Sequence, residues 1–375
     1  MKWTALGVVL FALLVGVGGY VAISNGTNVA DERIARALAP SECPEAPAGP
    51  DFGTMYKGPL IDAHIHIPNP PEGPVVLDYI PQSRPTLGNN ITIADFVCIF
   101  KQEGIIRAFA FFPVFPGFET IQLAIVKGTM ERYGDIFVPF IMPPDRDDRP
   151  DGFPTVEAVV LEEMLAVHPG LFMGYGEIGL YERGDHGGPT GSPALPPDSA
   201  RLREIYPIVR ENDLLVYFHL GRGQQEAFER TAAANPDIKF IFHGDQLIVY
   251  DERGQNLKAV DEILSRHPNV YYGVDELYGD VWLLHPDKSR EEFFEHFENY
   301  EALLEKDLAT WKSFIERHPN QVLWGTDRGV VINWAMEPEV GQTLANYTRA
   351  FIARLPPAVQ DKYAYKNAER LLTGR

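Results

Sequence analysis

Leu60-Ile61-Asp62-Ala63-His64-Ile65-His66-Ile67 is an apolar run that contains two histidines. Its composition predicts a buried β-strand, and because side chains alternate along a strand, His64 and His66 point to the same face. Two neutral imidazoles on one face can bind one metal ion. The run therefore predicts a core strand and the first two ligands of a metal site.

Short apolar runs alternate with longer amphipathic runs along the rest of the chain. This alternation predicts eight strands and eight helices, and eight such units closing on themselves form a (β/α)8 TIM barrel in the α/β class. A doubly wound open sheet is less favoured, because no Gly-rich dinucleotide-binding loop follows the first strand. The predicted strands are 60–67, 106–112, 136–141, 172–178, 214–219, 238–243, 270–274 and 322–326, and the predicted helices are 93–103, 120–133, 156–167, 199–211, 224–234, 256–266, 290–317 and 339–353.

Potential metal ligands stand at the carboxyl ends of several predicted strands. His219 and His243 end the fifth and sixth strands, while Glu177 lies at the carboxyl end of the fourth and Asp327 follows the eighth. In a barrel these ends meet at one mouth, where active sites are built. Four imidazoles and two carboxylates suit one or two divalent ions, with Glu177 placed to bridge a pair. These donors accept zinc, manganese or iron, and zinc is the starting expectation.

These residues resemble the amidohydrolase superfamily of metal-dependent barrels. The run around Glu177 is similar to the TatD-type and phosphotriesterase-like branches, whereas two endings resemble the amidohydrolase-2 branch, which holds decarboxylases and hydrolases. The matching motifs are His64-x-His66, Gly176-Glu177-Ile178-Gly179-Leu180, His219, His243, Gly325-Thr326-Asp327 and Asn367-Ala368-Glu369-Arg370-Leu371-Leu372, and the similarity covers most of the chain after Gly58.

The resemblance implies a role for each ligand. His64, His66 and Asp327 would bind the more buried ion, and His219 and His243 a second, with Glu177 bridging the two. In single-metal members one of the last two histidines contacts the substrate instead, so the number of ions stays open.

The predicted activity is metal-dependent hydrolysis of a small ester, lactone, amide or phosphoester. Asp327 would accept the proton of a metal-activated water, and Arg222 or Arg328 would stabilise developing negative charge. One alternative is a single-metal non-oxidative decarboxylase. An alternative from another class is a catalytically inactive, membrane-tethered binding protein.

The sequences of the loops after the strands do not identify the substrate. Residues 68–90 and 181–197 could cover or rim the mouth, and either could equally be a passive surface loop. Tyr278, Trp282 and Trp334 could line a substrate pocket or pack between helices.

The composition indicates which class of molecule the protein binds. The chain has 375 residues and a formal net charge of -19, which disfavours nucleic acid and leaves a small molecule as the expected substrate. The oligomeric state is not predicted.

The amino-terminal region is a separate segment. Residues 3–23 carry no charge, which indicates an export signal peptide or a membrane anchor and a periplasmic or extracellular location. The expected divisions are residues 1–24 for this segment, 25–58 for a Pro-rich tether and 59–375 for the barrel. In an oxidising compartment Cys43 and Cys98 could pair.

Overall fold

The computed structural model describes eight parallel strands that neighbour one another in chain order. The strands are β1 (Leu60–His66), β2 (Ile105–Pro113), β3 (Phe137–Met142), β4 (Gly174–Gly179), β5 (Leu215–His219), β6 (Phe240–His243), β7 (Val270–Val274) and β8 (Val322–Trp324). The described residues are 29–43, 45, 48–69, 86–114, 119–143, 153–181, 194–243, 253–275, 277–279, 283, 288–329 and 333–373.

The sheet closes on itself where β1 meets the chain just after β8. Ile65 forms a parallel bridge with Arg328, and the His66 amide donates a 2.8 Å hydrogen bond to the Arg328 carbonyl. The Asp327 amide donates to the His64 carbonyl at 3.0 Å. The predicted (β/α)8 barrel is therefore confirmed, and the open sheet is wrong.

Helices separate consecutive strands, as the amphipathic runs predict. The first shows the local signals clearly, because Thr92 and Asp95 form a capping box and Gly104 ends the helix in a left-handed conformation. The helices are α1 (Ile93–Glu103), α2 (Glu119–Tyr133), α3 (Ala158–Val167), α4 (Ala200–Glu211), α5 (Gln225–Ala234), α6 (Arg253–Arg266), α7 (Arg290–His296), α8 (Tyr300–Asp307), α9 (Ser313–Arg317), α10 (Pro338–Ile352), α11 (Pro357–Asp361) and α12 (Asn367–Thr373).

One predicted helix is wrong in extent. The run 290–317 is three helices, interrupted after His296 and again by the π-helical turn Leu308–Lys312. Asn299 starts α8 from a non-helical conformation, as Asn commonly does at a helix start. The amphipathic pattern continues through both interruptions, so the sequence pattern alone does not reveal them.

The barrel interior below the mouth is filled by apolar side chains. Ile61, Phe109, Phe140 and Ile241 belong to one buried cluster, which Ala368 and Leu371 of α12 join. Asn367 anchors α12 by donating hydrogen bonds to the carbonyls of Pro319 and Val322, at 3.1 and 2.8 Å. The Asn-Ala-Glu-Arg motif therefore attaches the carboxyl-terminal helix to the barrel.

A buried polar network joins β1 to the end of β8. Asp62 accepts hydrogen bonds from the His64 amide at 3.0 Å and from the Thr326 hydroxyl at 2.7 Å. The Arg328 guanidinium forms two hydrogen bonds, of 2.8 and 2.6 Å, with the Glu103 carboxylate. The His64 amide lies where the β1–β2 register shifts, so Asp62 supplies an acceptor for it.

The residues before β1 pack on the outside of the barrel. Leu38, Phe52 and Tyr56 are buried, and a disulfide joins Cys43 to Cys98 of α1, which confirms the pairing. The predicted signal or anchor, residues 1–24, lies outside the described residues. Among the described helices, none is long and apolar enough to cross a membrane. The predicted domain divisions stay a prediction.

Candidate metal centre

The six predicted ligands lie together at the carboxyl-terminal mouth of the barrel. His64, His66 and Asp327 form one group, in which the two imidazole Nε2 atoms are 3.0 Å apart. Asp327 Oδ1 lies 3.0 Å from His66 Nε2 and 3.4 Å from His64 Nε2. Both imidazoles are buried, whereas the Asp327 side chain is 46% exposed. This group therefore combines fixed nitrogen donors with a carboxylate that faces solvent.

Glu177, His219 and His243 form a second group, and Glu177 also contacts the first. Glu177 Oε1 lies 2.8 Å from His219 Nδ1 and 2.5 Å from His243 Nε2. Its Oε2 lies 3.2 Å from His66 Nε2 and 3.4 Å from His64 Nε2. The carboxylate thus has one oxygen toward each pair of imidazoles.

Glycine is required directly before Glu177. Gly176 has a φ of 138°, and a Cβ built on it would lie 2.3 Å from the Tyr217 carbonyl oxygen of β5. A side chain at this position would push β4 away from β5 and move the neighbouring carboxylate. The Gly-Glu pair in the sequence is therefore one structural unit.

Asp275, directly after β7, is a site residue that sequence reasoning missed. Its Oδ2 lies 3.0 Å from His64 Nδ1 and 3.0 Å from His243 Nδ1. Burial raises the pKa of this carboxyl, but the charges and hydrogen bonds of the two histidines outweigh burial and lower it. Its place at a strand end is the same signal that identified Asp327.

The buried side chains shift one another's pKa values strongly. Burial disfavours the imidazolium of His243, yet the Glu177 carboxylate raises the pKa of His243 to about 10. Burial likewise opposes ionisation of Glu177, but contacts with His243 and His219 hold the pKa of Glu177 well below its usual value. Within the cluster, protons on imidazoles balance the carboxylates, and a divalent ion would replace those protons.

The donor set fits a divalent ion. His64, His66 and Asp327 place one ligand atom each within 4.8 Å of one another, and so do Glu177, His219 and His243. Imidazole nitrogen and carboxylate oxygen are the usual ligands of zinc and of manganese. Glu177 also contacts His64 and His66, which is compatible with the bridging role that the resemblance implies.

The two arginines predicted to contact substrate have different environments. Arg222 is exposed in the turn after β5, so its catalytic role stays a prediction. The role suggested for Arg328 is wrong, because this side chain is buried against Glu103 on the α1 side of β1. Arg328 pairs with a carboxylate 225 residues away in the sequence. Its position next to Asp327 in the sequence gave no sign of this pairing.

The aromatic residues considered for a pocket pack in the core where they are described. Tyr278 is buried and its hydroxyl contacts the Thr348 hydroxyl at 3.2 Å. Trp334 packs on the ring of Phe293, and Trp282 lies outside the described residues. Most of the predicted loops 68–90 and 181–197 also lies outside them.

Comparison with known proteins identifies the family. The family model described as Amidohydrolase, of the amidohydrolase-2 type, matches residues 61–373. A search of curated protein sequences gave no match. The resemblance of the Glu177 run to the TatD-type and phosphotriesterase-like branches stays a prediction.

Several solved structures are similar to this chain at low sequence identity. A probable 2-pyrone-4,6-dicarboxylic acid hydrolase from Acinetobacter baumannii, with citric acid bound, is 11% identical with a TM-score of 0.52, covering 83% of this chain and 98% of its own. A 4-oxalomesaconate hydratase from Rhodopseudomonas palustris is 10% identical with a TM-score of 0.44, covering 83% and 95%. A 5-carboxyvanillate decarboxylase from Novosphingobium aromaticivorans, complexed with manganese, is 12% identical with a TM-score of 0.46, covering 87% and 99%. With the family match over nearly the whole barrel, the chain belongs to the amidohydrolase family and is an enzyme of the metal-dependent amidohydrolase superfamily.

Proposed function

We propose that the protein is a metal-dependent hydrolase with two divalent ions bridged by Glu177. One observation carries this proposal: Glu177 Oε2 faces His64 and His66, whereas Oε1 faces His219 and His243. A carboxylate with one oxygen toward each imidazole pair is suited to join two ions.

The side chains of the mouth then have separate tasks. When bound, a divalent ion lowers the pKa of a coordinated water to about 7 and polarises a carbonyl or phosphoryl oxygen. Asp327 is exposed on one side and contacts His66 on the other, so its carboxylate can accept a proton and pass it to a leaving group. The buried histidines orient the site and exclude water behind it.

The substrate we propose is a small ester, lactone, amide or phosphoester. The net charge of -19 favours neutral or cationic molecules over polyanions. Zinc is our proposal for the metal, and manganese, which the decarboxylase structure holds, is the first alternative.

A single-metal decarboxylase is the second candidate. The match to the amidohydrolase-2 family supports it as well as it supports hydrolysis. This enzyme would retain one ion with His64, His66 and Asp327, use His219 or His243 toward the substrate, and release carbon dioxide from an aromatic or enoic acid.

Metal content measured beside a substrate panel tests the proposal. We expect two ions per chain and hydrolysis of activated esters or lactones that stops with a chelator and returns with metal. His64→Ala should abolish metal retention and turnover together, whereas the matched variant His168→Ala, at the end of α3, should keep both. One ion per chain together with carbon dioxide release would show that the enzyme is a decarboxylase and not a hydrolase. Turnover that survives both chelator and His64→Ala would refute the metal mechanism.

We also propose that the enzyme works outside the cytoplasm. The uncharged run 3–23 and the Cys43–Cys98 disulfide support this location, because disulfides persist in oxidising compartments. Fractionation of cells expressing the full chain tests it. Activity confined to the cytoplasm with both thiols reduced would contradict it.

A further inference from the structure

A carboxylate outside the predicted ligand set lies between two ligand histidines. Asp275 Oδ2 is 3.0 Å from Nδ1 of His64 and 3.0 Å from Nδ1 of His243, and the Asp275 side chain is only 5% exposed. A carboxylate oxygen only accepts hydrogen bonds, so each contact keeps an N–H on Nδ1 when a divalent ion replaces the proton on Nε2 and leaves the ring neutral. His64 belongs to the group with His66 and Asp327 and His243 to the group with Glu177 and His219, while Asp275 itself lies within metal-ligand distance of both histidines.

This arrangement fixes the direction of both imidazole lone pairs. A neutral ring with its proton on Nδ1 has its lone pair on Nε2. Nε2 of His64 lies 3.4 Å from Glu177 Oε2, and Nε2 of His243 lies 2.5 Å from Glu177 Oε1. Asp275 therefore turns both donors toward the bridging carboxylate from behind.

The surroundings hold Asp275 in this position. A Cβ built on Gly325 would lie 2.3 Å from Asp275 Oδ1, so the absence of a side chain at Gly325 makes room for the carboxylate. Among the described residues, Oδ1 is buried and has no hydrogen-bond partner. The two imidazoles are thus the groups that compensate this buried charge, which ties its position to theirs.

The two histidines depend on Asp275 to different degrees. The Tyr217 hydroxyl lies 3.4 Å from His64 Nδ1 and offers that ring a second acceptor. Within the described part of the chain, Asp275 is the acceptor that contacts Nδ1 of His243. Loss of Asp275 should therefore affect the group of Glu177, His219 and His243 more strongly.

We propose that Asp275 is a positioning residue that sets the tautomer of His64 and His243 together and thereby couples the two ions. This inference rests on the proposed two-metal function. Partners of ligand histidines typically contribute 10-fold to 100-fold to metal affinity or activity. Here one carboxylate serves a ligand of each ion, so its removal affects both, and chiefly the second.

The test compares Asp275→Ala and Asp275→Asn in the full chain. Metal affinity is measured by competition with a chromophoric chelator, using zinc and manganese separately. The Nδ1–H resonances are recorded on the zinc-loaded protein labelled with ¹⁵N-histidine. Asp237→Asn is the matched control, because it removes an exposed carboxylate paired with Arg210 away from the mouth.

We expect Asp275→Ala to lower the affinity for the second ion about 10-fold to 100-fold and to remove the hydrogen-bonded Nδ1–H resonance of His243. Asp275→Asn should restore most of the affinity, since its amide oxygen can accept both N–H groups, while both resonances shift because the acceptor is neutral. Asp237→Asn should match the wild type in both measurements.

Three results would overturn the inference. The first is a folded Asp275→Ala protein with wild-type affinities and resonances. The second is an Asp275→Asn protein as impaired as Asp275→Ala. The third, decisive even if Asp275→Ala does not fold, is an Asp275→Asn protein whose two resonances do not move. Wild-type protein that binds no ion would instead refute the proposed function.

Discussion

Breaking the buried ion pair of Glu103 and Arg328 should destabilise the closure of the barrel. Both side chains are at most 3% exposed, and two hydrogen bonds of 2.8 and 2.6 Å join them. Glu103→Met leaves the guanidinium buried with a 3.3 Å contact to the Thr326 hydroxyl. Removing one partner of such a pair typically costs about 3–5 kcal/mol. We expect a loss of that size in the free energy of unfolding.

A double-mutant cycle separates the interaction free energy of the Glu103–Arg328 pair from the effects of changed packing. Arg328→Met alone leaves Glu103 uncompensated, whereas Glu103→Met with Arg328→Met replaces both charges by apolar side chains. The double variant should therefore be more stable than either single variant, with a coupling of about 2 kcal/mol or more. Asp237→Ala, which breaks an exposed pair with Arg210, should cost less than about 1 kcal/mol.

Urea unfolding followed by circular dichroism, with a chelator present so that metal binding does not contribute, measures these differences. If Glu103→Met cost no more than Asp237→Ala, the reasoning would be refuted. Additive losses in the double variant would show that the buried pair is not one unit. In a separate titration of the metal-loaded protein without chelator, the single variants should also release metal at lower denaturant concentration, because Arg328 pairs with Ile65 in the barrel closure.

Three further outcomes follow from other parts of the fold. Burial raises the pKa of Asp307 from 3.8 to about 6, so ionisation of this carboxyl destabilises the folded state at pH 8 and this penalty disappears as pH falls toward 4. The free energy of unfolding of the wild type should therefore rise by up to about 3 kcal/mol relative to that of Asp307→Asn between pH 8 and pH 4. A difference that does not change with pH would contradict this. The disulfide of Cys43 and Cys98 spans 55 residues, so Cys43→Ser with Cys98→Ser should lower stability by about 4 kcal/mol in the chain-entropy view, measured against wild type without reductant; an unchanged unfolding midpoint would contradict it. Gly176→Ala should move Glu177 and reduce bound metal below one ion per chain by elemental analysis, whereas Gly170→Ala, at a turn with open space, should retain wild-type metal content; full retention in Gly176→Ala would contradict the packing argument.

Local pattern was sufficient for the architecture and for bringing the six predicted ligands together at the mouth. Strand runs and helix runs depend on periodicity within a few residues, so β7 matches its predicted range and α1 does too. Strand ends converge in any barrel, and this geometric rule alone brings His219 and Asp327 to one mouth. Boundaries and helix interruptions such as the one after His296 depend on packing, so the pattern misses them.

The partners of each side chain depend on contacts between residues far apart in the chain. Arg328 stands beside Asp327 in the sequence but pairs with Glu103, and Asp275 joins histidines of β1 and β6. Hydrogen bonds and ion pairs form with whichever group the closed barrel places within about 3 Å, and sequence separation carries no information about that distance. Residue types and their spacing thus predict a metal-binding barrel, whereas the bridging geometry of Glu177 and the shared position of Asp275 exist only once the eight strands close.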